Sequence, residues 1–163
     1  MPFDFAKQLA VSKPVVEKVV RWLNQLNTLD WALDCQDKPG CYYLGDILIK
    51  PMAGDVEYIE LKMETRTSRE TPNLAIERYS NTEKKTNGGI WETQARFYAH
   101  IYSDGLLVVM NRRLLLDWLI ANYDTFRQFQ ARNKNYTTSG ILVRRTEAKE
   151  ELQTYYREYW IGE

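Results

Sequence analysis

The chain is poor in the residues that most often announce a function. It has one histidine, His100, and two cysteines, Cys35 and Cys41. Two cysteines so close together make no disulfide framework, and no set of histidines and cysteines is spaced to enclose zinc, so both thiols are expected to be reduced. No apolar run approaches the roughly 18 to 20 residues that cross a bilayer. The opening MPFDFAKQLAV also lacks a basic region followed by an apolar stretch. Neither a membrane partner nor an export signal is therefore expected, and the default compartment is the cytoplasm. An excess of one charge is lacking too, since Lys plus Arg and Asp plus Glu number 22 each. Without a basic field, any contact with a polyanion must come from a local arrangement.

What is present is the material of one folded domain. The 163 residues are 44% hydrophobic and 27% charged, enough apolar content to build a core without staples and far from the composition of a disordered chain. Val15, Val16, Val19, Val20, Leu23 and Leu26 recur at three- and four-residue spacing, which predicts an amphipathic helix over 13–27, with Ser12 and Pro14 at its start. Residues 29–34 suit a short strand, 36–40 a turn, 41–50 (CYYLGDILIK) a strand and 51–55 a hairpin loop. From Val56 to Thr65 the residues alternate, Ile59, Leu61 and Met63 on one face and Tyr58, Glu60, Lys62 and Glu64 on the other. Residues 73–80 look like a third strand and 81–89 like a loop. A helix over 91–99, a buried strand over 106–110, helices over 112–122 and 123–133, and a strand over 140–145 complete the reading, with 147–160 unassigned. The order implies a single α/β or α+β domain, with helices on both sides of a sheet.

The hairpin gives the first sign of chemistry. If Lys50 faces Val56, the antiparallel register sets Asp46 opposite Glu60, with Lys62 on the same face two residues on. Opposed residues have Cβ atoms roughly 4.5 to 5.5 Å apart, and like charges there repel unless something positive separates them. Asp46 also interrupts an otherwise apolar strand, where an uncompensated charge is costly. Glu-x-Lys alone is common on solvated sheet faces; an Asp within an apolar strand opposite it is not. Two such carboxylates suit a hard divalent cation, Mg²⁺ or Mn²⁺, and Lys62 then stands beside a bound phosphate.

GDILI around Asp46 and YIELK around Glu60 and Lys62 resemble the PD-(D/E)xK superfamily of restriction-like and Holliday-junction-resolvase-like nucleases. Gly45 stands where the motif's name has Pro. The resemblance covers residues 13–120 and implies a restriction endonuclease-like α/β/α core: a helix, an antiparallel strand set, a second helix and a further strand. It implies hydrolysis of phosphodiester bonds, in DNA with RNA not excluded, with Asp46 and Glu60 as metal ligands and Lys62 as a catalytic residue. The stretch ETRTSRETPNLAIERYSN followed by GGIWETQARFYAHIY is similar to small phage or plasmid nucleases of this type. On that likeness Glu77 is an additional catalytic carboxylate, and Thr93 and Gln94 begin a helix bordering the cleft. Gln94 with Tyr98 also fits the Gln-x-x-x-Tyr pattern of RecB-like members.

Among the basic residues near these motifs, Arg66, Arg69 and Arg96 are the expected nucleic-acid contacts, with Thr93 beside them; Arg78, Lys84 and Lys85 are weaker candidates. His100 is expected to be packed rather than to act as a base, and the tyrosines 42, 43, 155, 156 and 159 with Trp160 are expected mainly to fill core. Cutting two strands commonly takes two active sites, so a homodimer fits the reading. The competing reading is a catalytically silent nuclease-like fold serving as a nucleic-acid-binding or protein-assembly module, which suits the neutral charge.

Overall fold

The protein's structure is a computed structural model that describes residues 5–41 and 44–162. Helix α1 (Phe5–Leu23) leads into an antiparallel meander of β1 (Leu29–Asp34), β2 (Ile47–Pro51) and β3 (Glu57–Glu64). The chain then leaves this sheet to form β4 (Asn73–Asn81) and β5 (Thr86–Asn87). It makes one turn of helix, α2 (Gly89–Glu92), and returns as β6 (Phe97–Tyr102), parallel to β3. β7 (Leu106–Asn111) runs back antiparallel to β6 and passes into α3 (Arg112–Ala121), capped by Asn111, whose side chain accepts the Leu114 N–H. The remainder is β8 (Arg127–Arg132), β9 (Thr137–Arg144), α4 (Arg145–Leu152) and β10 (Tyr156–Trp160). The described residues thus form a six-stranded mixed sheet, β1-β2-β3-β6-β7-β10, and a four-stranded antiparallel sheet, β5-β4-β9-β8.

Period-two alternation decides what each face of the larger sheet meets. Ile47, Ile49, Ile59, Ala99, Ile101 and Leu107 point to one side, where Val16, Val19 and Leu23 of α1 cover them. Tyr98, Tyr102, Val108 and Met110 point to the other, against Leu74, Ile76, Ile141 and Val143 of the smaller sheet and Leu115 and Leu119 of α3. The layers are therefore one helix, the mixed sheet, and a mixed layer of strands and helices. Tyr102 stitches the sheets together, its hydroxyl donating to Asn73 O at 2.7 Å. Among the described residues no helix is long and apolar enough to cross a membrane.

Several elements differ from the sequence-based expectation. α1 begins at Phe5 and carries Pro14 inside it. Proline has no N–H for Ala10 O, but Ala10 is exposed, so water can satisfy that carbonyl. The expected strand over 41–50 is regular only from Ile47, and Tyr42 and Tyr43 lie outside the described residues. The expected helix over 91–99 is limited to α2, because Phe97–Tyr102 is taken into the middle of the large sheet and buried on both faces. The expected helix over 123–133 is a 3-10 turn followed by β8, whose residues alternate between faces. In both cases tertiary pairing overrides the local helix preference of Glu, Gln, Ala and Arg. The strand expected over 73–80 is present as β4, but it opens a second sheet instead of extending the first. Tyr156 is buried, whereas Tyr155, Tyr159 and Trp160 are exposed.

The outer edge of β1 is closed by a side chain. Asn24, just past α1, accepts the Ala32 N–H at 2.8 Å and donates to Ala32 O at 2.9 Å and Val20 O at 3.0 Å. One amide thus mimics a neighbouring strand and ties the helix end to the sheet edge. Asn24→Ala should destabilise the fold by about 1 to 3 kcal/mol, the cost of orphaning a backbone donor and acceptor, read as a lower urea midpoint at unchanged m-value. An unchanged midpoint would show that water replaces the amide at no cost.

Candidate functional site

The observed pairing of Ile47 with Ile59, Leu48 with Tyr58 and Ile49 with Glu57 ends just before Asp46, which stays beside the strand, close enough for its charge to act on Glu60. Asp46 N–H donates to Ile59 O at 2.9 Å, and its Oδ2 accepts the Leu61 N–H at 2.8 Å. Gln36 donates to Oδ1 at 3.3 Å. Gly45 has φ +142°, and a Cβ there would lie 2.9 Å from Ile59 O. Proline, locked near −65°, cannot adopt this backbone, which explains its absence before the aspartate.

Glu60, Lys62 and Glu77 line one pocket of about 190 Å³, with Gly89 and Ile90 on one wall and Tyr98 on another. Lys62 Nζ donates to Glu77 Oε1 in an ion pair. The Thr93 hydroxyl, buried and 3.4 Å from Leu44 O, hydrogen-bonds Glu60. Burial first, and then the Asp46 charge, push the Glu60 carboxyl up to about 7, against the opposing pull of Thr93, Arg112 and Lys62. Burial also raises Asp46, with the Leu61 N–H and Gln36 working the other way. Tyr98 is raised by burial and by Glu77, Glu60 and Asp46, so one phenol feels all three carboxylates.

The second wall is held by close approach. A Cβ on Gly88 would overlap the Glu77 backbone, and one on Gly89 would overlap the Glu60 carboxylate. Gly88 N–H donates to Arg78 O at 3.1 Å and Trp91 Nε1 donates to Glu77 O at 2.7 Å, pinning α2 to β4. The Arg78 guanidinium lies over the rings of Tyr79 and Trp91 and donates to Asn87 Oδ1 at 2.6 Å. Arg78 is thus spent on this hairpin.

The structure brings Asp46, Glu60, Lys62, Glu77 and Thr93 together and leaves Gln94 apart. Thr93 and Gln94 do not begin a helix; they follow α2 in the connection to β6, with Gln94 exposed. Of the expected nucleic-acid contacts, Arg66 is paired with Glu64 at 3.1 Å beyond the far end of β3. Arg96 pairs with Glu57 and stacks on Phe97, and Arg69 is exposed. None of the three lines the pocket. Arg112, from the first turn of α3, is a second cation acting on Glu60 besides Lys62, its Nε donating to Ile90 O at 2.9 Å. Gln36, Arg112 and the glycine pair were not singled out from the sequence. GGIW beside an acidic strand was the one available sign of a tight approach.

His100 is fully buried on β6, and neither ring nitrogen has a hydrogen-bond partner among the described residues. Burial, with Lys62 adding to it, holds the imidazole down to about 3, so it is neutral packing material. Cys35 and Cys41 are free. A larger recess of about 310 Å³ between α3 and α4 is lined by Glu147, Glu150 and Glu151, a combination that repels polyanions. Among the described residues no three His, Cys, Asp or Glu side chains form a metal-holding group. Asp46 and Glu60 are neighbouring carboxylates, the second of them lining the pocket, and their shared preference for the protonated state is what a cation would relieve. No family model, curated protein or solved structure matches the chain.

Two expectations follow for the metal-free protein. The folded chain holds the Glu60 proton up to about pH 7, against a usual value of 4.5, so stability falls as pH rises through that interval. Glu60→Gln, with divalent ions chelated, should be nearly neutral at pH 4 and stabilising at pH 8 by on the order of 2 kcal/mol; a pH-independent difference in melting temperature refutes the buried charge. Gly89→Ala should displace the Glu60 carboxylate and flatten that same dependence, while retaining a cooperative melt.

Proposed function

We propose that the protein is a metal-dependent nuclease hydrolysing phosphodiester bonds, most readily those of DNA, with Asp46 and Glu60 holding Mg²⁺ or Mn²⁺. The observation that carries this reading is the pair of half-buried carboxylates, Asp46 and Glu60, that the β2–β3 hairpin brings close enough for one charge to act on the other, with Lys62 beyond Glu60 on the same face. A folded protein keeps two such acids together at a cost, and compensation by a hard cation gives that cost a use. When bound, the metal would polarise a phosphoryl oxygen and acidify a water.

The chain's own residues supply the rest. Asp46 is oriented by the Leu61 N–H and Gln36, so one carboxylate is held in a single direction. Lys62 Nζ is positioned by Glu77 at the pocket wall, where an ammonium can meet the negative charge that builds on the phosphoryl oxygens. Thr93 and Arg112 fix and partly neutralise Glu60. Buried Tyr98 and Ile90 give the pocket its apolar lining. The order of pieces supports the PD-(D/E)xK resemblance: α1, the β1–β2–β3 meander, then β6 parallel to β3. The helix before β6 is a single turn, and the smaller sheet occupies the crossover, so the likeness is to the order of the core and not to the size of each piece.

The same pocket favours a second reading at one point. Lys62 is neutralised by Glu77, as a silent site serving a binding or assembly module would have it. Calorimetric titration with Mn²⁺ separates the two: the nuclease should bind the ion, and Asp46→Asn should weaken binding at least about tenfold. Supercoiled, linear and single-stranded DNA, incubated with Mg²⁺, Mn²⁺ or EDTA, should be cut only with the metal, and Lys62→Ala should lower the rate by a factor of about 100 or more. Cutting by Lys62→Ala at the native rate would falsify the assignment.

A further inference from the structure

The smaller sheet carries a charge asymmetry that the neutral total conceals. Residues 127–144 contain Arg127, Arg132, Lys134 and Arg144 and no acidic residue, which leaves the rest of the chain four charges negative. All four are exposed, and none forms an ion pair among the described residues. The tip of the hairpin gains two more cations: Thr82 N–H donates to Thr137 O at 2.9 Å and Thr137 N–H to Glu83 Oε2 at 3.1 Å. These bonds tie the loop holding Lys84 and Lys85 to Thr137, at the end of the turn that carries Lys134, and occupy its one carboxylate.

The ladder connects this basic strand to the pocket. Glu77 on β4 lies opposite Gly140 on β9, and Gly140 lies opposite Phe129 on β8, so the three share one face and one row. Two strand spacings, about 10 Å, separate Glu77 from Phe129. In the next row on that face Ala75 and Leu142 lead to Arg127. Among the described residues β8 is the sheet's edge, and its outer backbone groups have no strand partner there. Phe129 is half-buried there and shares its face with exposed Arg127, while exposed Gln128, Gln130 and Arg132 alternate onto the other face, so the cations stand on both sides of the strand's outer edge, one before the ring and one after it. Cations flanking an accessible ring are what a single strand recognises: phosphates take the charge and an unpaired base takes the ring, whereas a duplex shows a side surface mainly phosphates.

We infer that β8 and the 133–136 loop form the track on which a single-stranded stretch of nucleic acid lies beside the pocket, Arg127, Arg132 and Lys134 on phosphates and Phe129 under a base. The choice of occupant rests on the nuclease reading; the surface itself stands on its charge and position.

The test is fluorescence anisotropy in EDTA with a labelled single-stranded oligonucleotide and its duplex. The native chain should prefer the single strand. The exposed triple variant Arg127→Ala/Arg132→Ala/Lys134→Ala should bind it at least about tenfold more weakly, with a log–log salt slope smaller by about 2. Phe129→Leu, which keeps an apolar cover over Gly140, should lose about fivefold or more on the single strand and nothing on the duplex. A charge-matched control, Lys18→Ala/Arg21→Ala/Lys38→Ala, should behave as the native chain. Equal loss in the control, an unchanged triple variant, no binding by the native chain, or duplex preference each overturns the inference. Cleavage with Mg²⁺ is read separately. A native chain that binds through β8 and never cuts defeats the nuclease reading alone, and one that cuts while the triple variant binds normally defeats the track alone.

Discussion

Ile47 lies opposite Ile59, and the pocket depends on that pairing. Side chains on a strand alternate, so a slip of one residue between β2 and β3 would turn Glu60 and Lys62 toward α1 and bring Ile59 and Leu61 out of the core. The register is held by apolar burial on the α1 side and by Gly45, whose missing side chain lets the strand lie against Ile59 O. The electrostatic cost of placing Asp46 beside Glu60 is thus met by packing on the opposite face. The core below the sheet and the acids above it belong to one constraint.

Lys62 and Glu77 show how the second sheet enters the site. β4 is far from the metal candidates in topology, yet the Trp91 indole and the Gly88 amide anchor α2 to it. α2 in turn presses Gly89 against Glu60. The pocket is a seam between the two sheets, and its width is set by residues with no side chain at all.

The register, α1, β3, β7 and α3 were legible because each rests on local periodicity with one face buried. Asp46 and Glu60 were legible together because a short hairpin leaves few ways to pair. β6 was not, since Phe97–Tyr102 is buried on both faces and carries no alternation to separate it from a buried helix. β8 was read as helix because Arg, Gln and Ala favour helices and an exposed edge strand has little hydrophobic signal to oppose them. Arg112 was hidden for a related reason: its closeness to Glu60 is created by the return of β6 and β7, which no local pattern encodes. The expected Arg66 and Arg96 were placed by sequence proximity, and the strands carry them past the pocket to local partners, Glu64 and Glu57.

The ladder between β4 and β9 joins Asn73 to Arg144 and Leu74 to Val143, residues separated by most of the second half of the chain. Such distant pairing makes assembly slow relative to a fold of local contacts. During synthesis on the ribosome, the strand bearing Glu77 would wait for its partner until residue 144 had emerged. Lys62 would meanwhile lack a settled acceptor, and the wall against Glu60 would lack its anchor. The pocket is therefore among the last parts of the fold to close, because its wall waits on a strand that comes much later in the chain.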